Sequence, residues 1–226
     1  MFKRIFLLLL LAAVTVCGHC ADSWFMTTQG VVLSYVRRNV GDGTVKWYHD
    51  MTFEKVEENL SGKDVHYSSM LYKPNRKAML KAPVGLRAQV AADGTVRMDL
   101  ASSMKAVFAS LFPNAVISTT GGITTLPSVM EPGDRLADAS GTVKVRGITY
   151  TVSVTDRKVL RNEKITTPAG TFDCVVVSEH KEEKAVGYSR ITTAETWYCR
   201  GYGMIRHDTY DRNMKLETSE ILESVR

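Results

Sequence analysis

The sequence predicts a mainly β protein, a curved antiparallel meander forming a half-barrel or a barrel, with one amphipathic helix. Two observations carry this prediction. Short strand-like runs separated by turn residues fill most of the chain, and only one segment has helical periodicity. The 226 residues are 44% hydrophobic and 23% charged, which excludes collagen-like, low-complexity and wholly disordered classes. No linker or repeat interrupts residues 22–226, so we expect a single exported domain there.

The N-terminus has the features of a secretory signal peptide, predicted over residues 1–21. Two basic residues precede an apolar run over residues 5–16, and small or polar residues follow. This run of 12 residues is too short for a membrane-spanning helix, which needs about 20. We therefore expect cleavage between Gly18 and Asp22, export to the periplasm or the extracellular space, and no transmembrane segment in the mature chain.

Cys17 and Cys20 form a C-x-x-C pattern at the end of this segment. Redox chemistry by such a pattern needs its first cysteine at a helix N-terminus after a strand, whereas here it follows a signal core. A lipid-modified cysteine needs a small residue before it, and Val16 and His19 precede these two. The sequence therefore favours a soluble exported protein without a lipid anchor.

Strands are predicted where β-branched and aromatic residues alternate with polar ones between turn residues. In the first half of the chain these runs are Gly30–Asn39, Val45–Glu54, Val65–Tyr72, Gly85–Ala91 and Thr95–Asp99. Asp93-Gly94, between the last two runs, is a strong hairpin signal.

The periodicity changes at Leu100, where apolar residues begin to recur at three and four positions as far as Phe112. This spacing predicts an amphipathic helix of about 12 residues, ended by Pro113 and Asn114. Strands return after Pro127. The runs are Thr142–Asp156 (a hairpin, or one strand bent at Gly147), Phe172–Glu179, Gly187–Tyr198, Met204–Tyr210 and Lys215–Val225.

The chain contains none of the common catalytic sequence motifs. H-E-x-x-H, G-x-S-x-G, the Walker loop and G-x-G-x-x-G after a strand are all absent. His49, His66, His180 and His207 are not at short metal-ligand spacing from one another. The net charge of +5 is scattered, and the predicted signal peptide holds two of the cations. We therefore expect that the protein is not an enzyme and has no cofactor, no metal and no nucleic-acid partner.

Two groups of residues are candidates for ligand binding. Met104 and Phe108 of the predicted helix, with Met98, would give an adaptable apolar lining to a cavity. Trp197, followed by two tyrosines and flanking glycines, fits either the mouth of a pocket or an aromatic lock at a strand corner.

Cys174 and Cys199 are the two cysteines left in the predicted mature chain. An oxidising compartment makes a disulfide between them possible. Two buried free thiols on neighbouring strands are the alternative, because free cysteine is among the most buried residue types.

Three segments of the second half resemble a known family: residues 148–159, 163–179 and 196–219. The block I-T-T-P-A-G-T-F-D-C and the later block T-W-Y with G-x-G-M-I-R resemble the TapB-like branch of the "domain of unknown function 3108" family. These are bacterial envelope proteins, frequent in the Bacteroidota, and the resemblance covers roughly residues 125–225. Cys199 departs from the pattern, where we expect a small residue such as alanine, and this departure makes the Cys174–Cys199 pair worth testing.

The resemblance implies an exported envelope protein with a curved sheet like the half-barrels of lipoprotein carriers, and it implies no established reaction. We expect a non-enzymatic carrier or binder of a lipid or another hydrophobic ligand. The alternative is a protein–protein interaction or scaffold module of the cell envelope with no small ligand.

Overall fold

The computed structural model describes residues 23–226, so the predicted signal peptide, its cleavage site and its two cysteines lie outside the described residues. Two short helices, α1 (Leu100–Ser103) and α2 (Lys105–Leu111), follow the fifth strand. The strands are β1 (Val32–Asn39), β2 (Val45–Asn59), β3 (Gly62–Tyr72), β4 (Val84–Ala91), β5 (Val96–Asp99), β6 (Ile117–Thr120), β7 (Ile123–Leu126), β8 (Ala139–Val145), β9 (Ile148–Thr167), β10 (Gly170–Ala185), β11 (Tyr188–Cys199), β12 (Gly203–Tyr210) and β13 (Leu216–Val225).

The strands of residues 23–226 form one antiparallel sheet in the order β6-β8-β9-β10-β11-β12-β13-β1-β2-β3-β4-β5-β7. Most neighbours in the sheet are neighbours in sequence, and β1 pairs with β13 to join the two halves. The order ends at β6 and β7, so the sheet is open. The predicted antiparallel meander is confirmed, as a half-barrel and not as a closed barrel.

Curvature brings the two halves of the sheet face to face. Six strand spacings separate β3 from β10, which is about 29 Å in a flat sheet at about 4.8 Å per spacing. Tyr67 of β3 and Glu179 of β10 nevertheless line the same cavity. The concave face is therefore the inside of the protein, and most of the core lies there.

The edge strands β6 and β7 are absent from the sequence prediction. Each has four residues, rich in Ser and Thr, and Gly121 and Gly122 join them. Both glycines have positive φ, and a side chain at Gly122 would collide with the Ser140 carbonyl group. Short polar strands lack the alternation from which longer strands are recognised, so only their pairing with β8 and β5 reveals them.

The predicted helix is present, but it is interrupted at Met104. Asp99 caps its start by accepting a hydrogen bond of 2.7 Å from the Ser102 backbone N–H. The Met104 N–H donates to the Ala101 carbonyl, three residues back, at 3.2 Å. This tighter turn separates α1 from α2.

The two helices lie across the concave face and connect the two halves of the sheet. Leu100 packs with Val152 and Val154 on β9, on one side of the concave face. Ala106 packs with Leu71 of β3, on the other side. Because the concave face is apolar, the helices bury surface that an open sheet would expose to water.

Candidate functional site

A cavity of about 260 Å³ lies inside the half-barrel, beside α1. Its apolar wall includes Met51, Phe53, Leu86, Met98 and Leu100. Its polar wall includes His49, Ser69, Arg157, Glu179 and Tyr198. Small-molecule sites in proteins combine such an apolar lining with a few convergent polar groups.

The segment that follows the predicted signal peptide forms part of the cavity wall. Phe25 lines the cavity and contacts Phe53 and Tyr67 edge-on, with ring centroids 5.6 and 5.4 Å away. The Arg200 guanidinium lies 4.1 Å from the ring centroid of Trp24. The Ser23 carbonyl accepts a hydrogen bond of 2.9 Å from the Gly201 N–H. These contacts fix the segment inside the fold.

Arg157 and Glu179 form a charge pair at the polar wall. The Arg157 side chain is 1% exposed, and its Nε lies 3.3 Å from Glu179 Oε2. Its Nη1 also donates to the carbonyls of Thr125 and Ala137, at 3.1 and 2.9 Å. Burial, followed by the charge of Glu179, raises the pKa of Tyr198 to about 12. The Tyr198 hydroxyl is therefore neutral and a hydrogen-bond donor at physiological pH.

His49 connects the cavity to a buried carboxylate. Its Nε2 lies 2.7 Å from Ser69 Oγ, and its Nδ1 lies 3.1 Å from Glu220 Oε1. Arg37 Nη1 lies 3.1 Å from the other oxygen, Glu220 Oε2. Burial opposes ionisation of Glu220, but the hydrogen bond and charge of His49 and the charge of Arg37 outweigh it. They lower the Glu220 pKa to about 2.

His207 lies in the same buried network, away from the cavity lining. Its Nδ1 is 2.8 Å from Thr196 Oγ1. Burial, followed by repulsion from Arg37, lowers the His207 pKa to about 4, so its imidazole is neutral at physiological pH. The inside of the half-barrel thus contains an apolar cavity and a charged, hydrogen-bonded region next to it.

A second, more open concavity of about 540 Å³ adjoins the cavity. Tyr67 and Leu86 line both spaces and form a shared wall. The groove carries both charge signs, with Arg87, Arg97 and Asp99 among its lining residues. This mixed charge selects no particular ligand class.

The described residues contain no cluster of three or more His, Cys, Asp or Glu side chains that could hold a metal ion. None of the helices within residues 23–226 combines the length and the apolarity needed to cross a membrane.

Comparison with known proteins gives the family. The sequence profile of the DUF3108-like family matches residues 34–222. The chain belongs to this family. No curated protein matches this DUF3108-like chain significantly.

Two crystal structures share the fold of this DUF3108-like protein. One is a predicted exported protein with a YmcC-like fold from Bacteroides fragilis, with a TM-score of 0.77 and 21% identity over 89% of this chain and 98% of that one. The other is a predicted lipoprotein from Parabacteroides distasonis, with a TM-score of 0.79 and 20% identity over 91% of this chain and 99% of that one. At these identities the likeness shows the fold alone.

The structure places the three predicted ligand-binding residues of this DUF3108-like protein outside the cavity lining. Met104 and Phe108 pack against the apolar side chains of β8. Trp197 is buried, with the guanidinium groups of Arg161 and Arg206 at 5.6 and 4.7 Å from its ring. Their role in binding stays a prediction. Met98 does line the cavity, as do the two tyrosines that follow Trp197.

The residues with the most distinctive chemistry at the cavity were not predicted as site residues. They are Phe25, Ser69, Arg157 and Glu179 in the lining, and Glu220 behind it. One signal was present for His49, which stands between Trp47 and Met51 on the apolar face of β2. A histidine at an inward position of a strand indicates a buried polar contact.

Cys174 and Cys199 are direct cross-strand partners on β10 and β11, with both thiols free. Paired residues of antiparallel strands have Cα atoms about 4.5–5.5 Å apart, within the range that a disulfide needs. Their hydrogen bond and burial raise the pKa of Cys174, and the same hydrogen bond lowers the pKa of Cys199. Cys199 is therefore the thiol that more readily forms the reactive thiolate.

We propose that Cys174 and Cys199 join under oxidising conditions. Oxidised glutathione should remove two hydrogens from the intact mass and increase the free energy of unfolding by about 2–4 kcal/mol. The reduced protein serves as the reference, and Cys199→Ala as the control that cannot form the bond. A mixed glutathione adduct without loss of two hydrogens would show that the strands do not allow closure.

Proposed function

We propose that this protein binds a small, mostly apolar ligand that carries one polar end group. The cavity supports this proposal, because its apolar wall faces buried polar groups whose own partners hold them in place. The apolar part of the ligand would lie against Met51, Phe53 and Met98. The polar end would meet the side of the cavity that holds His49 and Arg157.

The size of the cavity limits the ligand. An apolar cavity of about 150 Å³ accepts benzene, and sites for drug-sized molecules begin near 300 Å³. A volume of about 260 Å³ therefore fits a medium-chain acyl group or a small aromatic compound. A lipid with two full-length chains exceeds this volume. Of the lipids expected from the sequence, we therefore propose one with a single short or medium acyl chain.

We also propose that the protein is exported and belongs to the TapB-like branch. The predicted signal peptide supports export, and so do the two relatives of the same fold, one described as exported and one as a lipoprotein. Both come from Bacteroidota genera, which agrees with the source implied by the sequence resemblance. The absence of an enzymatic role stays a prediction from the sequence.

Native mass spectrometry with a series of fatty acids tests the binding proposal. The mature protein should bind octanoate at one site, and palmitate should bind at least tenfold more weakly because it exceeds the cavity volume. Ser103→Phe should abolish octanoate binding, because Ser103 is an exposed residue of the cavity lining and the larger ring blocks the opening there.

Ser110→Phe is the matched control. Both serines lie near helix ends and donate to a carbonyl three residues back at 2.7 Å, but only Ser103 lines the cavity. Octanoate binding that survives Ser103→Phe, or equal binding of palmitate, would contradict the proposal. Protein purified from its own envelope without detergent should carry a small extra mass that organic solvent releases.

The edge strands favour the second candidate, an interaction module of the envelope. Within residues 23–226, β6 and β7 each pair on one side only, and Ile123 of β7 is 58% exposed. Unpaired edges of this kind accept an added strand from a partner. A single stoichiometric partner retained by the wild type and lost in Ile123→Lys, without bound small molecules, would favour this candidate over ligand binding.

A further inference from the structure

Three side chains from three strands form a continuous hydrogen-bonded line that ends at the cavity. Ser69 Oγ lies 2.7 Å from His49 Nε2, and His49 Nδ1 lies 3.1 Å from Glu220 Oε1. Ser69 and His49 both line the cavity, whereas Glu220 lies behind them and is not part of the lining. This order of hydroxyl, imidazole and carboxylate is the arrangement of a nucleophile, its base and the group that orients the base.

The environment of Glu220 determines the tautomer of His49. The Glu220 carboxylate is ionised and can only accept hydrogen bonds, so His49 Nδ1 carries the proton that it donates. In the neutral imidazole, which is the form that acts as a base, the lone pair of Nε2 then faces the Ser69 hydroxyl, which donates to it. This tautomer allows His49 to remove a proton from serine.

A second layer of contacts holds Glu220 in position. Arg37 Nη1 lies 3.1 Å from Glu220 Oε2, and Arg37 Nη2 donates to Thr209 and Thr218 at 2.7 Å. Because the Glu220 side chain is only 7% exposed, water competes little for these bonds. The imidazole is therefore oriented before any ligand enters, as nucleophilic catalysis requires.

We propose that Ser69 is a nucleophile, with His49 as its general base, and that the cavity hydrolyses a small ester with a short or medium acyl chain. Ser69 and His49 are the catalytic residues, and Glu220 is a positioning residue. This inference rests on the proposed function, because the acyl chain occupies the same apolar wall as the bound ligand. It differs from the sequence expectation that the protein is not an enzyme.

The reaction divides into two balanced steps. Ser69 Oγ attacks the ester carbonyl carbon while its proton passes to His49 Nε2. The bond to the alcohol oxygen then breaks, and that oxygen takes the proton from His49. Water repeats the sequence on the acyl-serine, releasing the carboxylic acid and restoring Ser69.

A fluorophosphonate with a short alkyl chain tests this inference on the full mature protein. Ser69 Oγ should form a bond to phosphorus as the phosphorus–fluorine bond breaks, and the hydroxyl proton leaves with fluoride. The intact mass should show one adduct, which peptide mapping places on Ser69. His49→Gln should slow this labelling about 10²- to 10⁴-fold, the usual contribution of a general base.

Ser68→Ala is the matched control for Ser69→Ala. Ser68 is the preceding residue of β3 and is also buried, but alternation along a strand places its side chain on the opposite face. Labelling should be lost in Ser69→Ala and unchanged in Ser68→Ala. Glu220→Asp should recover part of the rate that Glu220→Gln loses, which a merely structural carboxylate would not produce.

No adduct on the folded wild-type protein, an adduct on another residue, or equal labelling of Ser69→Ala would overturn the inference. Octanoate binding distinguishes the two proposals. If wild type and Ser69→Ala both bind octanoate but wild type forms no adduct, the ligand-binding proposal stands and the proposal of a nucleophilic Ser69 is wrong. Loss of both binding and labelling removes both proposals.

Discussion

Replacing Glu220 with alanine is expected to reduce the free energy of unfolding by about 3–5 kcal/mol. The substitution removes the carboxylate between Arg37 and His49 and leaves the guanidinium, whose side chain is 15% exposed, without its counter-charge. A typical domain is stable by only about 5–15 kcal/mol, so the loss is a large part of the total. Urea unfolding, followed by the midpoint at an unchanged slope, measures it.

Glu217→Ala is the control on the same strand. Glu217 also pairs with an arginine, Arg190 at 2.7 Å, but its side chain is 39% exposed. Water screens such a pair, so the expected loss is at most about 1 kcal/mol. Equal losses for the two variants would show that the pair of Arg37 and Glu220 contributes no more than a surface ion pair.

The free energy of unfolding is expected to fall over two overlapping pH ranges as the solution is acidified. The pKa of His207 is 6.5 in the unfolded chain and about 4 in the folded protein. The pKa of Glu220 is 4.5 in the unfolded chain and about 2 in the folded protein. Both values are lowered by folding, so the unfolded state binds each proton first. The stabilisation by each group is complete above its unfolded-state pKa and is lost as the pH falls through its folded-state pKa. Each group contributes on the order of 3 kcal/mol.

Thermal unfolding between pH 8 and pH 3 measures this dependence. His207→Gln should flatten the curve between pH 6.5 and 4, because the amide cannot gain the charge that Arg37 and Lys181 would repel. His66→Gln is the control, because the His66 side chain is 41% exposed and water screens its ion pair with Glu57, so this variant should keep the slope that His207→Gln loses. A slope that survives in His207→Gln, or a titration of His207 above pH 6 by NMR, would contradict the prediction.

The strand pattern was predictable because burial on one face leaves a period of two in the sequence. Val45, Trp47, Met51 and Phe53 alternate with polar residues. In β2 the last three of these side chains do face the inside of the half-barrel. The hairpin at Asp93-Gly94 likewise joins β4 to β5. The break in the helix at Met104 was not predictable, because the apolar spacing continues through it and the tighter turn depends on packing against both halves of the sheet.

The candidate site was largely invisible in the sequence. His49 is 20 residues from Ser69 and 171 from Glu220, so no motif of fixed spacing links them. The three meet because β13, β1, β2 and β3 are consecutive in the curved sheet, so their inward side chains lie close together. A catalytic motif is a pattern of fixed local spacing, so it cannot describe a site whose residues come from different strands.

The sequence by itself determined the class of fold, the antiparallel succession of strands and the position of the helical segment, because all three depend on local periodicity and turn residues. Only the tertiary structure decided that the sheet stays open, that Phe25 closes one wall of the cavity, and that a histidine, a serine and a glutamate meet beside it. Those outcomes depend on curvature and on pairing between distant strands. Such pairing comes from contacts whose members are far apart along the chain, and no local pattern records them.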